Sequence, residues 1–306
     1  MSIGLPLGYV HFCQSYLTHR TQATRIGDIV STTINISSGV PQGSILGPYF
    51  YCLVAATLLP VNSSTRLIKY IDDVIYCIPL QTDGPRNQVL EEHQNVVRWS
   101  HQNRLTLNES KSKSLFFPKA TGSHPQLLED VEHVKELKIL GVKLNDQLTW
   151  DSHIDMMIKI SSQRIYALRI LKPMLTKNDL RKIYFSLVRS LLEYVSPLYV
   201  YLPQQLDSKI ERFQNRVHKL ICSLPRQQHA TDCDCSSFPN LRQRRHQAAI
   251  RLFRQAANDQ NHILHCIIPD LSQTSSRFLQ PPSITSRRRN SFIPFTCILV
   301  NNIIIV

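Results

Sequence analysis

Between residues 66 and 80 the chain reads RLIKYIDDVIYCIPL. Leu67, Ile68, Tyr70 and Ile71 precede the pair Asp72–Asp73, and Val74, Ile75, Tyr76, Cys77 and Ile78 follow it. Side chains so rich in β-branched and aromatic types favour strands. Two adjacent like charges do not belong inside a buried strand, because removing a carboxylate from water is costly without a partner. The pattern therefore predicts two short strands joined by a tight turn, with both carboxylates projecting into solvent. Side-by-side carboxylates suit a hard cation such as Mg²⁺, and two such ions can stabilise the oxygens of a phosphoryl transfer. An ordinary Asp-containing turn reads the same way, so the surroundings must decide.

Those surroundings begin with charge. The 306 residues include 35 Lys and Arg against 22 Asp and Glu, a net +13, and the pI is about 9.5. Such an excess favours polyanionic partners, meaning nucleic acid or an anionic membrane surface. With 42% hydrophobic and 19% charged residues the composition is that of a globular protein, and the length suggests about two domains. No membrane association is expected. The apolar run YFYCLVAATLLPV (49–61) is shorter than the ~20 residues of a spanning helix, and Asn301 and Asn302 interrupt FTCILVNNIIIV near the end. No secretory signal is recognisable at the start. The eight cysteines form no disulfide framework, so a reducing compartment is the default.

Along the chain, YVHFCQSYLTHRTQ reads as a short helix and ATRIGDIVSTTINI as strands. A Gly/Pro-rich loop, SSGVPQGSILGP (37–48), precedes an apolar run with the length of a buried helix. QTDGPRN (81–87) is a turn. QVLEEHQNVVRWSHQNRL (88–105) carries an apolar helical face through Val89, Val96, Val97 and Trp99. KSLFF (113–117) and LKILGVKL (137–144) read as strands. From Ile154 the strands give way to basic amphipathic helices, the last of them NLRQRRHQAAIRLFRQAAN (240–258). Beyond Pro269 the Ser, Pro, Arg and Asn content predicts a loosely ordered tail.

Tyr70-Ile71-Asp72-Asp73, taken with SGVPQGSILGP upstream, resembles the palm of reverse transcriptases, and more narrowly those of LINE-type (non-LTR) retrotransposons. In that family a Y/F-x-D-D turn carries two of the metal-site aspartates. A G-V-P-Q-G-S-x-L-G-P loop lies under template and incoming nucleotide, and Gly39, Val40, Pro41, Gln42, Gly43, Ser44, Leu46, Gly47 and Pro48 match it without a gap. Trp99, Asn108, Lys111 and Ser112 fit the family's W…L-x-x-N-x-x-K-[ST] segment. LKILGVKLNDQLTWDSHI is similar to its L-G-V…L-x-W…H-I segment, with the primer grip around Leu140 and Gly141. YFSLVRSLLEYVSP and ERFQNR are similar to its V-R-x-x-L-E-Y and E-x-x-Q-x-R patterns. The resemblance covers roughly residues 10 to 300.

What it implies is specific. Asp72 and Asp73 become catalytic ligands of Mg²⁺, with Mn²⁺ as a substitute, and Lys111 the group that helps protonate departing pyrophosphate. Gly39, Pro41, Gln42, Gly43, Ser44, Tyr70 and Ile71 become template- and nucleotide-binding positions. The partners become an RNA template, a DNA primer and, in an active enzyme, dNTPs. An intracellular location, nuclear or cytoplasmic, follows from the family. Physical chemistry agrees with the assignments. Glycines allow close approach to the backbone, Gln42 both donates and accepts, and Lys111 is a point charge suited to phosphate.

The match also has gaps. A two-metal polymerase needs a further aspartate on an earlier palm strand, and Asp28, in TRIGDIVS, is the only acid before the loop and reads as a hairpin turn. The chain thus reads as N-terminally truncated, without fingers or first palm aspartate, and by itself inactive. Ile71 replaces the alanine common in relatives, and LVNN stands where they carry W-N-x-L. A non-catalytic RNA- or DNA-binding module and a functionless relic are the alternatives.

The fold expected is α+β: a partial palm, an antiparallel sheet with helices, over 1–120, and the end of the palm with the primer grip over 121–153. An all-helical thumb over 154–225, a basic helical extension over 226–270 and the tail over 271–306 complete it. Arg164, Arg169, Lys172, Arg181, Lys182 and Arg189 are candidates to line the nucleic-acid backbone. His229, Cys233 and Cys235, and separately His262, His265 and Cys266, fall short of zinc-ligand spacing, and no zinc is expected. Arg287 to Arg289 read as solvated charge.

Overall fold

A computed structural model describes residues 4, 6–79, 85–117, 128–223, 238–272, 277–283 and 285–303. These form two compact units, one within Met1–Ser114 and Ser123–His133, the other within Leu115–Gly122 and Val134–Val306.

The first unit opens with α1 (Leu7–Leu17). Strands β1 (Arg20–Gln22), β2 (Arg25–Ile26), β3 (Ile29–Val30) and β4 (Ile34–Ile36) then nest as two antiparallel ladders, β1 with β4 and β2 with β3. Gly27 supplies the positive φ of 59° that the β2–β3 turn needs, and Asp28 beside it lies 4.0 Å from Arg25 in solvent. Helix α2 (Leu46–Ala56) precedes the antiparallel hairpin β5 (Arg66–Tyr70) and β6 (Asp73–Cys77). Helix α3 (Pro85–Gln102) follows, and β7 (Lys113–Ser114) pairs in parallel with β8 (Glu132–His133).

The α+β class holds, but the antiparallel sheet expected here is a set of separate two-stranded ladders. Each strand is only two to five residues long. Helix α2, expected to be buried, hides only Gly47 and Ala55; Tyr49 is 66% exposed.

The second unit begins with the antiparallel pair β9 (Glu136–Ile139) and β10 (Val142–Asn145). Then come α4 (Asp151–Leu171), α5 (Lys177–Ile183), a π-helical turn over Tyr184–Arg189, α6 (Ser190–Leu192) and α7 (Gln204–Cys222). Helices α8 (Leu241–Asn258), α9 (Ser286–Arg289) and α10 (Phe292–Ile303) complete it. On α4, Ile154, Met157, Ser161, Ile165 and Leu168 recur every three or four residues and are buried. The four apolar ones join Tyr184, Val188, Tyr199, Ile210, Phe213, Val217 and Leu241 in one core.

That core takes in α8, which was expected to be a separate extension. Polar ties reinforce it. Gln214 donates to the Pro239 carbonyl at 3.1 Å and accepts the Tyr184 hydroxyl at 2.9 Å. Glu211 accepts the Arg242 amide at 2.9 Å, and Asp207 holds Arg245 at 2.6 Å with both side chains almost fully buried. The E-x-x-Q pattern at Glu211 and Gln214 is therefore a docking device for α8.

The tail is also more ordered than its composition suggests. Apolar spacing in FIPFTCILV outweighs the Ser, Pro and Arg around it: Cys297 and Val300 of α10 pack with Phe253 of α8 in a second core. Asn301 closes the arrangement, accepting from the Phe278 amide and donating to its carbonyl, both at 2.9 Å. Among the described residues no helix is long and apolar enough to cross a membrane.

Candidate functional site

In the first unit the site is built on the junction between the glycine loop and α2. Gly39 and Gly43 both have φ of 74°, a left-handed conformation that glycine adopts without steric cost. Arg20 on β1 anchors the start of the loop by donating to the Gly39 carbonyl at 2.7 Å. Ser44 closes its end. Its hydroxyl donates to the Pro41 carbonyl at 2.7 Å and accepts the Gly47 amide at 3.0 Å, satisfying one of the free amides of a helix start. A Cβ at Gly47 would stand 3.0 Å from that hydroxyl, so this glycine is set by space. Ser44 and the Pro41 carbonyl are thus engaged inside the loop. Gln42 is exposed, and its carboxamide makes no hydrogen bond among the described residues.

The carboxylate hairpin rests on the same helix. Lys69 of β5 donates to the carbonyls of Ala55 and Leu58, both at 2.6 Å, at the end of α2. Burial lowers the Lys69 pKa. The pKa of the Tyr51 hydroxyl on α2 is raised, first by burial and then by the charge of Asp72. Tyr70 pairs with Asp73 across the ladder, leaving Ile71 and Asp72 as the two-residue turn.

Ile71 has φ of 53° while Asp72 does not share the positive sign. This is the sign pattern of a type II′ turn, whose first central position prefers glycine. A β-branched residue there is strained by about 1–3 kcal/mol. Asp72 and Asp73 are exposed, and their carboxylates make no hydrogen bond or ion pair among the described residues. Tyr70 is 57% and Ile71 58% exposed. On the opposite face of the hairpin Tyr76 is pushed up to about 12 by burial and by Glu92.

Glu92 is a functional support that sequence reasoning passed over. Only 1% exposed, it accepts the amides of Val61 and Asn62 at 3.0 and 2.9 Å. Trp99 on the same helix donates to the Thr57 hydroxyl at 2.8 Å, so α3 staples the segment between α2 and β5. The available signal was a carboxylate at position 92 within the apolar stripe Val89–Val96–Trp99. Farther along, Asn108 accepts the Lys111 amide at 3.2 Å and the Ser110 hydroxyl at 2.7 Å. This tight turn leaves the Lys111 side chain exposed. No described hydrogen bond or ion pair joins Lys111 to Asp72 or Asp73.

The second unit holds the primer-grip candidates. Leu140 and Gly141 form the β9–β10 turn with φ of 47° and 85°, two positive values as in a type I′ hairpin. The Tyr194 hydroxyl donates to the Leu140 carbonyl at 2.8 Å, and a Cβ at Gly141 would stand 3.3 Å from the Tyr194 ring. His153 accepts the Lys143 amide at 3.3 Å through Nδ1, and its ring packs against Trp150 and Tyr199. The hairpin is thereby held at its turn by Tyr194, just beyond α6, and along β10 by His153 of α4.

The basic candidates divide. Arg169 and Lys182 are exposed, Lys182 being 3.9 Å from Asp179. Arg164 is exposed but donates to the Leu187 carbonyl, and Arg181 lies 5.9 Å from the Phe185 ring centre. Arg189 is turned inward. It is 3.8 Å from Glu193 and 3.8 Å from the Phe185 ring centre, with an 18% exposed side chain. Glu193 also takes Arg244 of α8 at 2.9 Å.

His229, Cys233 and Cys235 lie outside the described residues. His262 accepts the Leu264 amide at 3.1 Å, His265 meets the Ala256 carbonyl at 2.8 Å, and Cys266 is exposed. Chemically, Asp72 and Asp73 are hard oxygen donors in water-accessible positions, which fits a divalent cation that also takes water and phosphate ligands. No group of three or more His, Cys, Asp or Glu residues able to hold a metal occurs among the described residues.

Residues 5–144 match the reverse transcriptase (RNA-dependent DNA polymerase) family. A probable RNA-directed DNA polymerase from transposon X-element of Drosophila melanogaster is 26% identical over 228 residues, covering 71% of this chain and 25% of that protein. The corresponding protein of transposon BS from the same species is 26% identical over 236 residues, 72% of this chain and 26% of its own length. The RNA-directed DNA polymerase of mobile element jockey from Drosophila funebris is 27% identical over 218 residues, 65% of this chain and 23% of its own. The chain spans about a quarter of the length of these curated relatives. No solved structure matches it. These findings relate the chain to the reverse transcriptases of LINE-type, non-LTR retrotransposons.

Proposed function

We propose that, in this relative of non-LTR reverse transcriptases, the first unit is the catalytic part of a palm and the second begins with the primer grip and continues as the thumb. Its work is RNA-directed DNA synthesis on a template–primer. The observation that carries the reading is the hairpin tip: Asp72 and Asp73 stand free in solvent, on a strained turn seated on the helix that leaves the G-V-P-Q-G-S loop. Asp72 and Asp73 would hold Mg²⁺, or Mn²⁺ in its place. The ion would supply positive charge where negative charge grows on phosphate oxygens.

The chain's own residues do the positioning. Gln42 offers a donor and an acceptor at the mouth of the loop, and the flanking glycines leave room for a base or sugar to approach the backbone. Tyr70 presents its exposed ring beside the carboxylates as a stacking surface. Lys111 offers a positive point charge to a leaving phosphate. Leu140 and Gly141, clamped by Tyr194, form a rigid ridge for the primer backbone. Arg169, Arg181 and Lys182 supply charge to the thumb, with Arg189 serving the fold instead. Among the described residues no third carboxylate joins Asp72 and Asp73, and two carboxylates do not complete a two-metal site, so this polypeptide is proposed to bind template–primer without extending it.

The test is a pair of assays on one preparation. Binding of an RNA template–DNA primer should strengthen with Mg²⁺ in the unchanged protein and lose that Mg²⁺ response in Asp72→Asn. Primer extension with dNTPs should be absent from both. Extension that Asp72→Asn abolishes would retain the polymerase reading and overturn the inactivity. Binding indifferent to Mg²⁺ and to Asp72→Asn would replace this reading with a non-catalytic nucleic-acid module.

A further inference from the structure

Arg287, Arg288 and Arg289 serve neither the carboxylate hairpin nor a core. All three are exposed and make no ion pair among the described residues. With Ser286 they form α9, a single turn that buries none of its residues. No Asp or Glu follows Asp270 in the sequence. Two residues past Arg289 stands Ser291, also exposed, with the apolar Phe292 after it. Ser291 is the only hydroxyl in the sequence with arginines both two and three positions before it. Its hydroxyl donates to the Arg288 carbonyl at 2.7 Å. Its own carbonyl accepts the Phe295 amide at 3.1 Å, which makes it the residue that heads α10. The first turn of that helix contains no acid, so it supplies no negative charge to the positive end of its own dipole.

We propose that Ser291 is a phosphorylation site for an arginine-directed protein serine kinase, with ATP as the phosphoryl donor. Kinases select substrates by charge pattern, and carboxylates in such an active site grip successive guanidinium groups through charge-assisted hydrogen bonds. The Ser291 Oγ attacks the γ-phosphorus of ATP. The bond from that phosphorus to ADP breaks, its electron pair leaves on ADP, and the hydroxyl proton passes to the kinase's base. The segment must extend to enter the kinase, and a single exposed turn with no buried side chain opens at little cost. The product places a charge of about −1.5 to −2 at the head of α10. The dipole favours it there, and Arg288 and Arg289 stand a few residues away to pair with it. Because Cys297 and Val300 of α10 pack on Phe253 of α8, the phosphate tightens the tail against α8. None of this rests on the reverse-transcriptase reading.

The experiment incubates the full folded chain with ATP and the catalytic subunit of cyclic-AMP-dependent protein kinase, an arginine-directed enzyme, and locates phosphate by peptide mass spectrometry. Ser291 should be the main acceptor. Ser291→Ala should remove that phosphate, and Ser286→Ala should not. Arg288→Gln with Arg289→Gln should lower kcat/KM for Ser291 by about a hundredfold through loss of two charge-assisted partners, with far-UV circular dichroism unchanged. The phosphorylated chain should melt about 2 °C higher. Phosphate on Ser291 only after heat unfolding, a main acceptor elsewhere, or an unaltered rate in the arginine variant overturns the site. A melting point that phosphate leaves unchanged or lowers overturns its role at α10.

Discussion

The two units differ most in what they bury. Around the carboxylate hairpin the buried apolar side chains among the described residues are Ala55, Leu58 and Val131, while Ile26 and Ile29 stand 76% and 78% exposed. The helical unit instead packs Ile154, Tyr184, Phe213 and Phe253 out of solvent, with Asp207 and Arg245 buried beside them. The unit that carries Asp72 and Asp73 is fastened by polar staples such as Glu92 and Lys69, and the helical unit by a continuous core. Under the proposed function, stability and function fall to different residues, and substitutions should separate them.

The largest effect belongs to the helical unit. Asp207→Ala leaves Arg245 buried without its partner and should cost about 3–5 kcal/mol, read as a shift of the urea midpoint followed by helical circular dichroism. A shift below 1 kcal/mol would mean that α8 is held by apolar contact alone. Next, Tyr184→Phe strands the Gln214 carbonyl and should cost about 1–2 kcal/mol in the same assay.

Acid should also act on this unit. Burial lowers the pKa of His153; burial and then Arg181 lower that of His218; burial and then Arg245 lower that of His246. Each binds its proton more readily when unfolded, so the stability they contribute is present above the unfolded value of about 6.5 and is lost as pH falls below it. Unfolding midpoints at pH 8 and pH 5.5 should differ, and His153→Gln should narrow the gap. An equal gap in the variant would move the effect elsewhere.

In the first unit the effects should be smaller and functional. Ile71→Gly relieves the positive-φ strain, partly offset by the greater unfolded-state freedom of glycine, for a net gain of at most about 1 kcal/mol. Loss of stability would show that the Ile71 side chain packs usefully after all. Asp72→Asn should change stability by less than about 0.5 kcal/mol while abolishing the Mg²⁺ response of template–primer binding. That contrast with Asp207→Ala, carboxylate for carboxylate, is the sharpest statement of the difference between the units.

Much of this was legible in the chain. A turn at the aspartate pair, a helix over 88–102, helices from about Ile154 and a hairpin turn beside Asp28 follow from local rules: like charges avoid burial, glycine takes positive φ, and apolar residues recur with the period of their element. The stretch 137–144 reads as one strand but is a hairpin that turns at Leu140–Gly141. Partnership was not legible. Which arginine is free and which is spent depends on what lies across the fold: Arg189 on Phe185, Arg244 on Glu193, Arg245 on Asp207, but Arg251 and Arg254 on none among the described residues. Ser44 likewise reads as a ligand contact until its hydroxyl is seen closing the loop onto α2. The sequence by itself determined where charge must meet water and where the backbone must turn, because those costs are local. Only the tertiary structure decided which polar groups are already satisfied, because a hydrogen bond or ion pair needs a partner that the fold brings from dozens of residues away.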